Sequence, residues 1–514
     1  FGYVVGASHF RTGGYRDHSA ADRNLGNAKL TLRPSDADSL TLVVNSVALP
    51  KAQDPLGLTR AQFESNPRGV DPSAIAFDTR KTVDQTQAGL IYERRFGSDD
   101  TLRAMVYSGH RDTTQFQSIP VATQGNPLHP GGVIDLARDY RGADLRWTHA
   151  TRVADMPLRI VGGFAYDTLR EHRLGYQNFV GATLGVQGAL RRDESNDVTN
   201  ADPYVQIEWR PAPRWSVDFG VRRADVRFRS TDAYIVGTNP DDSGRADYRA
   251  TLPAGGVMWA ATDTLHLYAS AGRGFETPTL NELAYRANGL TGLNLGLQAS
   301  RSTSAEVGAK LRLDGWGDVN AALFRTATDD EIVTQTNVGG RATYQNAGRT
   351  RRTGAELSWA GQWQESLRAQ LALTALRATY VDGFATCSAT PCATPTLQIP
   401  SGNRIPGIPK GSAYASLAWE PASGWRGGVE ARWVSGVPVN DANTDAAASY
   451  GVISVNVGYR LQAGPWELGA FARIDNLADR TYVGSVIVNE GNARYFEPAP
   501  GRTWLAGASA TLRF

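Results

Sequence analysis

Lysine is almost missing from this 514-residue chain: Lys29, Lys51, Lys81, Lys310 and Lys410 are all there is, and the other basic side chains are arginine. Genome base composition is one source of such a bias, and selection for bidentate anion binding is another. No run approaches the roughly 18 consecutive apolar residues of a membrane-spanning helix, which excludes a helical membrane protein. Linkers of the Pro/Ser or charge-run kind are missing too, although a soluble protein of this length would hold roughly three or four domains. The formal net charge is only +2, so no bulk attraction to nucleic acid is expected. The seven histidines (His9, His18, His110, His129, His149, His172 and His266) are scattered. No spacing brings two of them onto one face, so no hydrolase constellation is legible and no enzyme is expected. There is no secretory leader, and Phe1 already reads as strand, as in a chain that begins inside a processed or truncated protein.

What the chain does have is glycine and aromatics: 54 Gly, 19 Tyr and 12 Trp, a composition suited to strands, tight turns and aromatic girdles. Its mean hydropathy of −0.34 fits a soluble protein, but equally a barrel in which only every second residue faces lipid. The turn signals are ordered. Compact clusters occur at Pro34-Ser35-Asp36, Gly97-Ser98-Asp99, Asp155-Met156-Pro157, Pro211-Ala212-Pro213 and Thr262-Asp263-Thr264. They continue at Asp314-Gly315-Trp316-Gly317, Gln362-Trp363-Gln364, Pro421-Ala422-Ser423-Gly424 and Gln462-Ala463-Gly464. Between them lie ten other segments, near 11–24, 51–80, 113–136, 171–193, 231–246, 274–298, 336–341, 383–409, 437–447 and 478–501; all but the one near 336 are long. Short and long connections alternate, as they do when one rim of a membrane barrel carries minimal turns and the other elaborated loops.

The segments between alternate in hydropathy. Trp215, Val217, Phe219 and Val221 oppose Ser216, Asp218, Gly220 and Arg222. After Arg223 the phase flips to Ala224, Val226 and Phe228, which reads either as a strand leaving the membrane after about nine tilted residues or as a bulge. The last strand runs Trp504, Ala506, Ala508, Ala510, Leu512 and Phe514. Ten loops and nine turns give an all-β, transmembrane antiparallel β-barrel of 20 strands. Its lumen is too wide for side chains to fill, so the barrel is an open pore or is plugged. His149 and His266, in predicted strands, read as satisfied lumen histidines.

Three segments carry a resemblance. One is Asp475-Asn476-Leu477-Ala478-Asp479-Arg480-Thr481-Tyr482, followed by Tyr495-Phe496-Glu497-Pro498-Ala499-Pro500-Gly501-Arg502-Thr503-Trp504. The second is Asn346-Ala347-Gly348-Arg349 with Gly354-Ala355-Glu356-Leu357, and the third runs from Gly274-Phe275-Glu276-Thr277-Pro278 through Leu283 to Glu306-Val307-Gly308-Ala309-Lys310. Through them the chain resembles the barrel of TonB-dependent outer-membrane receptors, importers of scarce metal chelates and cofactors. The resemblance implies a barrel domain over 1–514 belonging to a 22-stranded wall, with the amino-terminal plug and first two strands absent. It also implies residence in the outer membrane among lipid and lipopolysaccharide. The TonB energy-coupling complex would be a partner through the plug, and no cofactor or metal site of the chain's own is expected.

In such a receptor the ligand contacts outer loops, and the loops here offer Tyr15, Arg16, His18, Arg68, Phe116, Tyr176, Tyr234, Phe275, Tyr285, Arg286, Tyr344, Tyr482, Tyr495 and Phe496. Arginines among aromatic faces suit an anionic, ring-bearing ligand such as a ferric siderophore. A vitamin or redox quinone is the alternative cargo, and a passive porin the alternative function. Haem receptors resemble the chain around Phe275 to Pro278 but need an axial ligand, and no histidine lies between Thr279 and Ser300. The segment Asp54-Pro55-Leu56-Gly57-Leu58-Thr59 resembles family importers of iron complexes and small cofactors alike. Cys387 and Cys392, in one outer loop of an oxidising envelope, read as a short-loop disulfide.

Overall fold

The structure is a computed structural model that describes residues 1–338, 341–387 and 391–513. Among them, twenty strands join into one antiparallel sheet, each paired with the next along the wall, from Gly2–Thr12 to Thr503–Leu512. This is the twenty-strand wall expected from the alternation; Phe514, its expected aromatic end, lies outside the described residues. Among the described residues no pairing joins the first strand to the last, and Tyr3, Val5 and Trp504 on these two edges are exposed.

The nine short turns fall where the sequence marks them. Four are displaced by one or two residues: Met156 and Pro157 pair with Val153 and Arg152, Ala212 with Trp215, and Gln462 and Ala463 with Glu467 and Trp466, while Gln362 and Trp363 pair with Arg368 and Leu367 and leave the turn to Gln364 and Glu365 at φ 50° and 58°. Ten of the twelve tryptophans gather at this rim, including Trp215 and Trp259 stacked at 5.9 Å and Trp425 against Tyr459 at 5.3 Å. Amphipathic rings at one rim mark a membrane interface. His149 belongs there and not in the lumen: it shares the outward face with Trp147, and both bond Asp100 at 2.9 Å. Parity along the strand fixes the face, and residue polarity does not. His266 alternates with exposed Leu267 and points inward.

The outer connection expected at 336–341 is larger. The wall strands stop at Asp329 and resume at Thr350, while Ile332–Val338 and Arg341–Asn346 pair with each other as a separate hairpin. Period-2 hydropathy identifies a strand but not the sheet it joins. Gly339 and Gly340, in the expected loop, lie outside the described residues.

The phase flip after Arg223 is not a bulge. The strand Trp215–Asp232 pairs with Gly244–Ala260 in unbroken register from Trp215↔Trp259 to Ser230↔Gly244. Below the flip, Trp215 and Phe219 face lipid. Above it the inward Phe228 is buried with Tyr248, Leu280 and Leu283 under the outer loops, so the outward face is left to Arg223, Asp225, Arg227 and Arg229. The next six wall strands, through Leu367–Tyr380, repeat the switch. Their outward positions carry no charge over the first eight residues from the short turn, and arginine appears from the ninth onward.

Candidate functional site

Above the wall the outer loops hold one another. Leu58 and Phe496 exchange backbone bonds of 2.8 and 3.1 Å, and Cys392 N–H donates to the Ala287 carbonyl at 2.7 Å. Between these loops lies a cavity of about 880 Å³, reached by side chains from the segments 54–79, 117–132, 233–243 and 277–299, the hairpin, and 476–502.

Each contributor is fixed by its own local structure. Thr279 and Glu282 form a capping box on the short helix Leu280–Leu283, whose Leu280 and Leu283 are buried; the chain leaving it delivers Tyr285 and Arg286 to the cavity. Gln124 and Asn178 bond each other at 2.6 Å, and Asn178 donates to the Gln117 carbonyl at 2.7 Å, which ties down the segment bearing Ser118 and His129. Arg341 opens the second strand of the hairpin, and Arg191 and Arg192 open the wall strand Leu190–Ala212.

Five arginines, Arg191, Arg192, Arg286, Arg341 and Arg494, line the cavity with four carboxylates, Asp71, Glu194, Asp232 and Asp242. Tyr285 is ringed by Arg341, Arg173 and Arg192, with guanidinium carbons 4.8, 5.3 and 5.8 Å from the ring centre, and its hydroxyl accepts from Arg173 Nη2 at 2.9 Å. Burial alone would raise the Tyr285 phenol, but the three guanidiniums outweigh it and hold the group below its ordinary value. Arg192 is neutralised by Glu194 at 2.9 Å, and Arg494 by Glu490 at 3.1 Å and Asp71 at 3.3 Å. Arg191, Arg286 and Arg341 differ. Among the described residues none of the three has a carboxylate within 4.0 Å: Arg341 bonds the Gln117 side chain, His129 Nε2 at 3.0 Å and the Gly131 carbonyl, while Arg191 and Arg286 reach backbone carbonyls. Burial lowers Arg341 below its usual range. Burial first, then Arg341 and Arg191, push His129 down to about 3, so the imidazole is neutral. Four buried polar atoms on this wall, Ser118 Oγ, Arg191 Nε, Asn239 Oδ1 and Arg494 Nε, have no hydrogen-bond partner among the described residues. Unmet buried donors and acceptors cost about 1–3 kcal/mol each; ligand oxygens would accept from the two arginine Nε–H groups, and Asn239 Oδ1 would need a ligand hydroxyl or N–H.

Comparison with known proteins places this arrangement. The family described as TonB dependent receptor-like, beta-barrel matches residues 14–477. The chain belongs to that family. Like other TonB-dependent receptor barrels, it resides in the outer membrane. The metal-pseudopaline receptor CntO of Pseudomonas aeruginosa (strain UCBPP-PA14) is 25% identical over 326 residues, which cover 62% of this chain and 40% of that protein. The chain therefore matches less than half the length of this curated relative. Among solved structures, the siderophore receptor PiuA from Acinetobacter baumannii aligns with a TM-score of 0.78 at 16% identity, covering 99% of this chain and 77% of that one. The ferric citrate transporter FecA, in its unliganded form, aligns with a TM-score of 0.77 at 16% identity, covering 99% and 73%.

Within this receptor barrel the loop residues singled out from sequence separate into groups. Tyr234, Tyr285 and Arg286 line the cavity together. Tyr15, Arg16, His18 and Arg68 knit the first two outer connections: Arg16 donates to the Gly69 and Leu56 carbonyls at 2.8 and 2.6 Å, His18 meets the Thr79 carbonyl at 2.8 Å, and Arg68 lies over Tyr15 at 5.3 Å. Phe116 sits beneath Arg80 at 3.7 Å, and the Tyr176 carbonyl accepts from Gly132 N–H at 2.7 Å. Phe275 and Tyr344 pack on the core around Phe228. Tyr482 lies tilted against Tyr450 with ring centres 4.3 Å apart, and Tyr495 lies edge-on to Phe496, itself 1% exposed. Cys387 and Cys392 are bridged, with Cα atoms 6.0 Å apart; residues 388–390 between them lie outside the described residues.

Sequence reasoning did not single out Arg191, Arg341 or His129. No local signal distinguishes an arginine that will find a carboxylate from one that will not, because the pairing is decided by which loops meet. His129 comes from a different loop, so a search confined to the neighbourhood of Phe275 does not reach it.

Proposed function

We propose that this barrel belongs to an active importer that carries an anionic metal chelate, of the ferric siderophore class, across the outer membrane. The observation that supports this reading is the cavity wall on which Arg191, Arg286 and Arg341 stand, among the described residues, without a carboxylate within 4.0 Å, beside Tyr285. Guanidinium groups bond carboxylate or catecholate oxygens bidentately, and their stabilisation is strong where water is excluded. The receptor names among the relatives agree with such a cargo. In this reading a plug and two further strands complete the wall, satisfying the free edges Gly2–Thr12 and Thr503–Leu512, which a bilayer would not tolerate unpaired. The plug supplies the rest of the ligand surface and couples to the TonB complex.

The test is growth of a strain deleted for the full receptor on single iron sources, with and without the gene restored. A growth defect on at least one anionic ferric chelate is the expected result. A defect confined to a vitamin or quinone requirement would overturn the siderophore assignment while leaving import intact. Unaided diffusion of sugars through the purified protein would point to a pore instead.

A further inference from the structure

Three cations on one side of the lumen stand apart from the cavity and have no carboxylate beside them. Exposed Leu90, Val106, Leu145 and Trp147 fix the outward parity of the strands Arg80–Phe96, Asp100–Phe116 and Val133–Val153, so Lys81, Arg111, Arg138 and Arg146 point inward. One row across the wall reads Gln85↔Arg111↔Arg138↔Glu171, and Lys81 stands four residues above Gln85 on the same face. The wall supplies carboxylates to the inward arginines around this group: Arg103 meets Asp144 at 3.2 Å, Arg138 meets Glu171 at 2.5 Å, and Arg222 meets Asp202. Lys81, Arg111 and Arg146 differ. Among the described residues none of the three has a carboxylate within 4.0 Å, and the buried Nε atoms of Arg111 and Arg146 have no hydrogen-bond partner. Lys81 is half-buried; burial first, then Arg111 and Arg138, push its ammonium below the ordinary value.

We propose that Lys81 and Arg111 form a second anion-binding station, inside the lumen, for the carboxylate or phenolate oxygens of a chelate that has left the loop cavity, with Arg146 the next contact on the way down. Lys81 follows the cavity residue Phe77 by four positions, and Arg111 precedes the cavity residue Ser118 by seven, so the station lies roughly 14 to 24 Å of extended chain below that wall. Arg146 lies eight residues below Arg138 on one strand, roughly 27 Å farther along its tilted path. Like charges gathered at a half-buried place cost free energy that an anion removes. A wall that gives the neighbouring arginines their own counter-ions leaves this position to an exchangeable one. Two cations facing a lumen attract an anion strongly enough to draw it in and weakly enough to let it go. The identity of the ligand rests on the reading that the cargo is an anionic chelate; the anion site itself does not.

The test begins with crystals of the full receptor soaked in sodium tungstate, a divalent oxyanion located by its anomalous scattering. A tungsten peak is expected in contact with Lys81 Nζ and the Arg111 guanidinium, and it should vanish from Lys81→Gln/Arg111→Gln. No peak there, or a plug carboxylate paired with both cations, would overturn the proposal. Passage is then read from radioiron uptake by cells supplied with the ferric chelate that the growth test identifies. In the same double variant the maximal uptake rate should fall at least about fivefold with half-saturation unchanged, whereas Arg191→Gln/Arg341→Gln should raise half-saturation. Arg141→Gln, on the outward face of the same wall, should change neither. Heat-modifiable migration on gels confirms that each variant is folded. Undiminished uptake by Lys81→Gln/Arg111→Gln, or a rise in its half-saturation equal to that of the cavity variant, would also overturn the proposal. If the receptor imports no anionic chelate, the functional reading fails and the transit role with it, while the tungsten peak still decides the anion site.

Discussion

Arg341 is held by Gln117, His129 and the Gly131 carbonyl, none of which cancels its charge. Replacing it by glutamine removes a buried cation while keeping much of the side-chain volume, so the loops should stay in place. Affinity of the full receptor for an anionic ferric chelate is expected to drop at least about tenfold, the lower end of what a desolvated charge contact is worth; unchanged affinity in titration would place the ligand elsewhere. His129 gives a pH dependence of definite sign. Its folded pKa, about 3, lies below the ordinary 6.5, so the unfolded segment takes up protons first as the solution is acidified. Burial, and after it repulsion from Arg341 and Arg191, disfavours the protonated imidazole, so the stability of the folded segment is fully present above about pH 6.5 and declines as pH falls toward about 3. Hydrogen exchange of residues 117–132, corrected for intrinsic rates, should show protection declining across that window in the native receptor, and His129→Gln should flatten the decline.

The wall strands, unlike the site, were legible because lipid imposes a strict period and a fixed span. Trp215, Val217, Phe219 and Val221 announce both the face and the height of their strand, and the flip after Arg223 marks the outer membrane boundary. The same rule misled at Ile332–Val338, which alternates in hydropathy yet pairs only with Arg341–Asn346. It also gave no warning that His149 lies on the outward face beside Trp147. The site was half legible: Tyr234, Tyr285 and Arg286 stood out as loop aromatics and arginine, whereas Arg191, Arg341 and His129 acquire meaning only when separate loops converge. The loop between Tyr380 and Gly411 makes an element-level prediction. Its bridge Cys387–Cys392 closes a short ring, and Pro391 inside that ring reaches the cavity. Reduction should cost about 2 kcal/mol, confined to the loop tip, so heat-modifiable migration of the barrel should persist while chelate affinity weakens modestly; loss of the folded band on reduction would show that the bridge supports the wall.

At the scale of the whole molecule, three fields are stacked along the barrel axis: a tryptophan rim at the short turns, an apolar belt, and a charged tier from the ninth residue of the strands upward. Above them the interlocked loops enclose a cavity lined by five arginines and four carboxylates, in which Arg191, Arg286 and Arg341 have no carboxylate within 4.0 Å among the described residues. In the proposed importer those unpaired guanidiniums, more than the cavity's size, would select the cargo, because partly buried cations without a carboxylate partner favour a ligand in proportion to its negative charge. The most direct measurement is a fluorescence-quenching titration of the full receptor with ferric chelates graded in net charge and with a neutral organic cofactor, for the native protein and for Arg191→Gln/Arg341→Gln. Affinity is expected to rise with negative charge in the native protein and to lose that trend in the double variant. Affinity independent of chelate charge, or tight binding of the neutral cofactor unaffected by the double variant, would contradict the account.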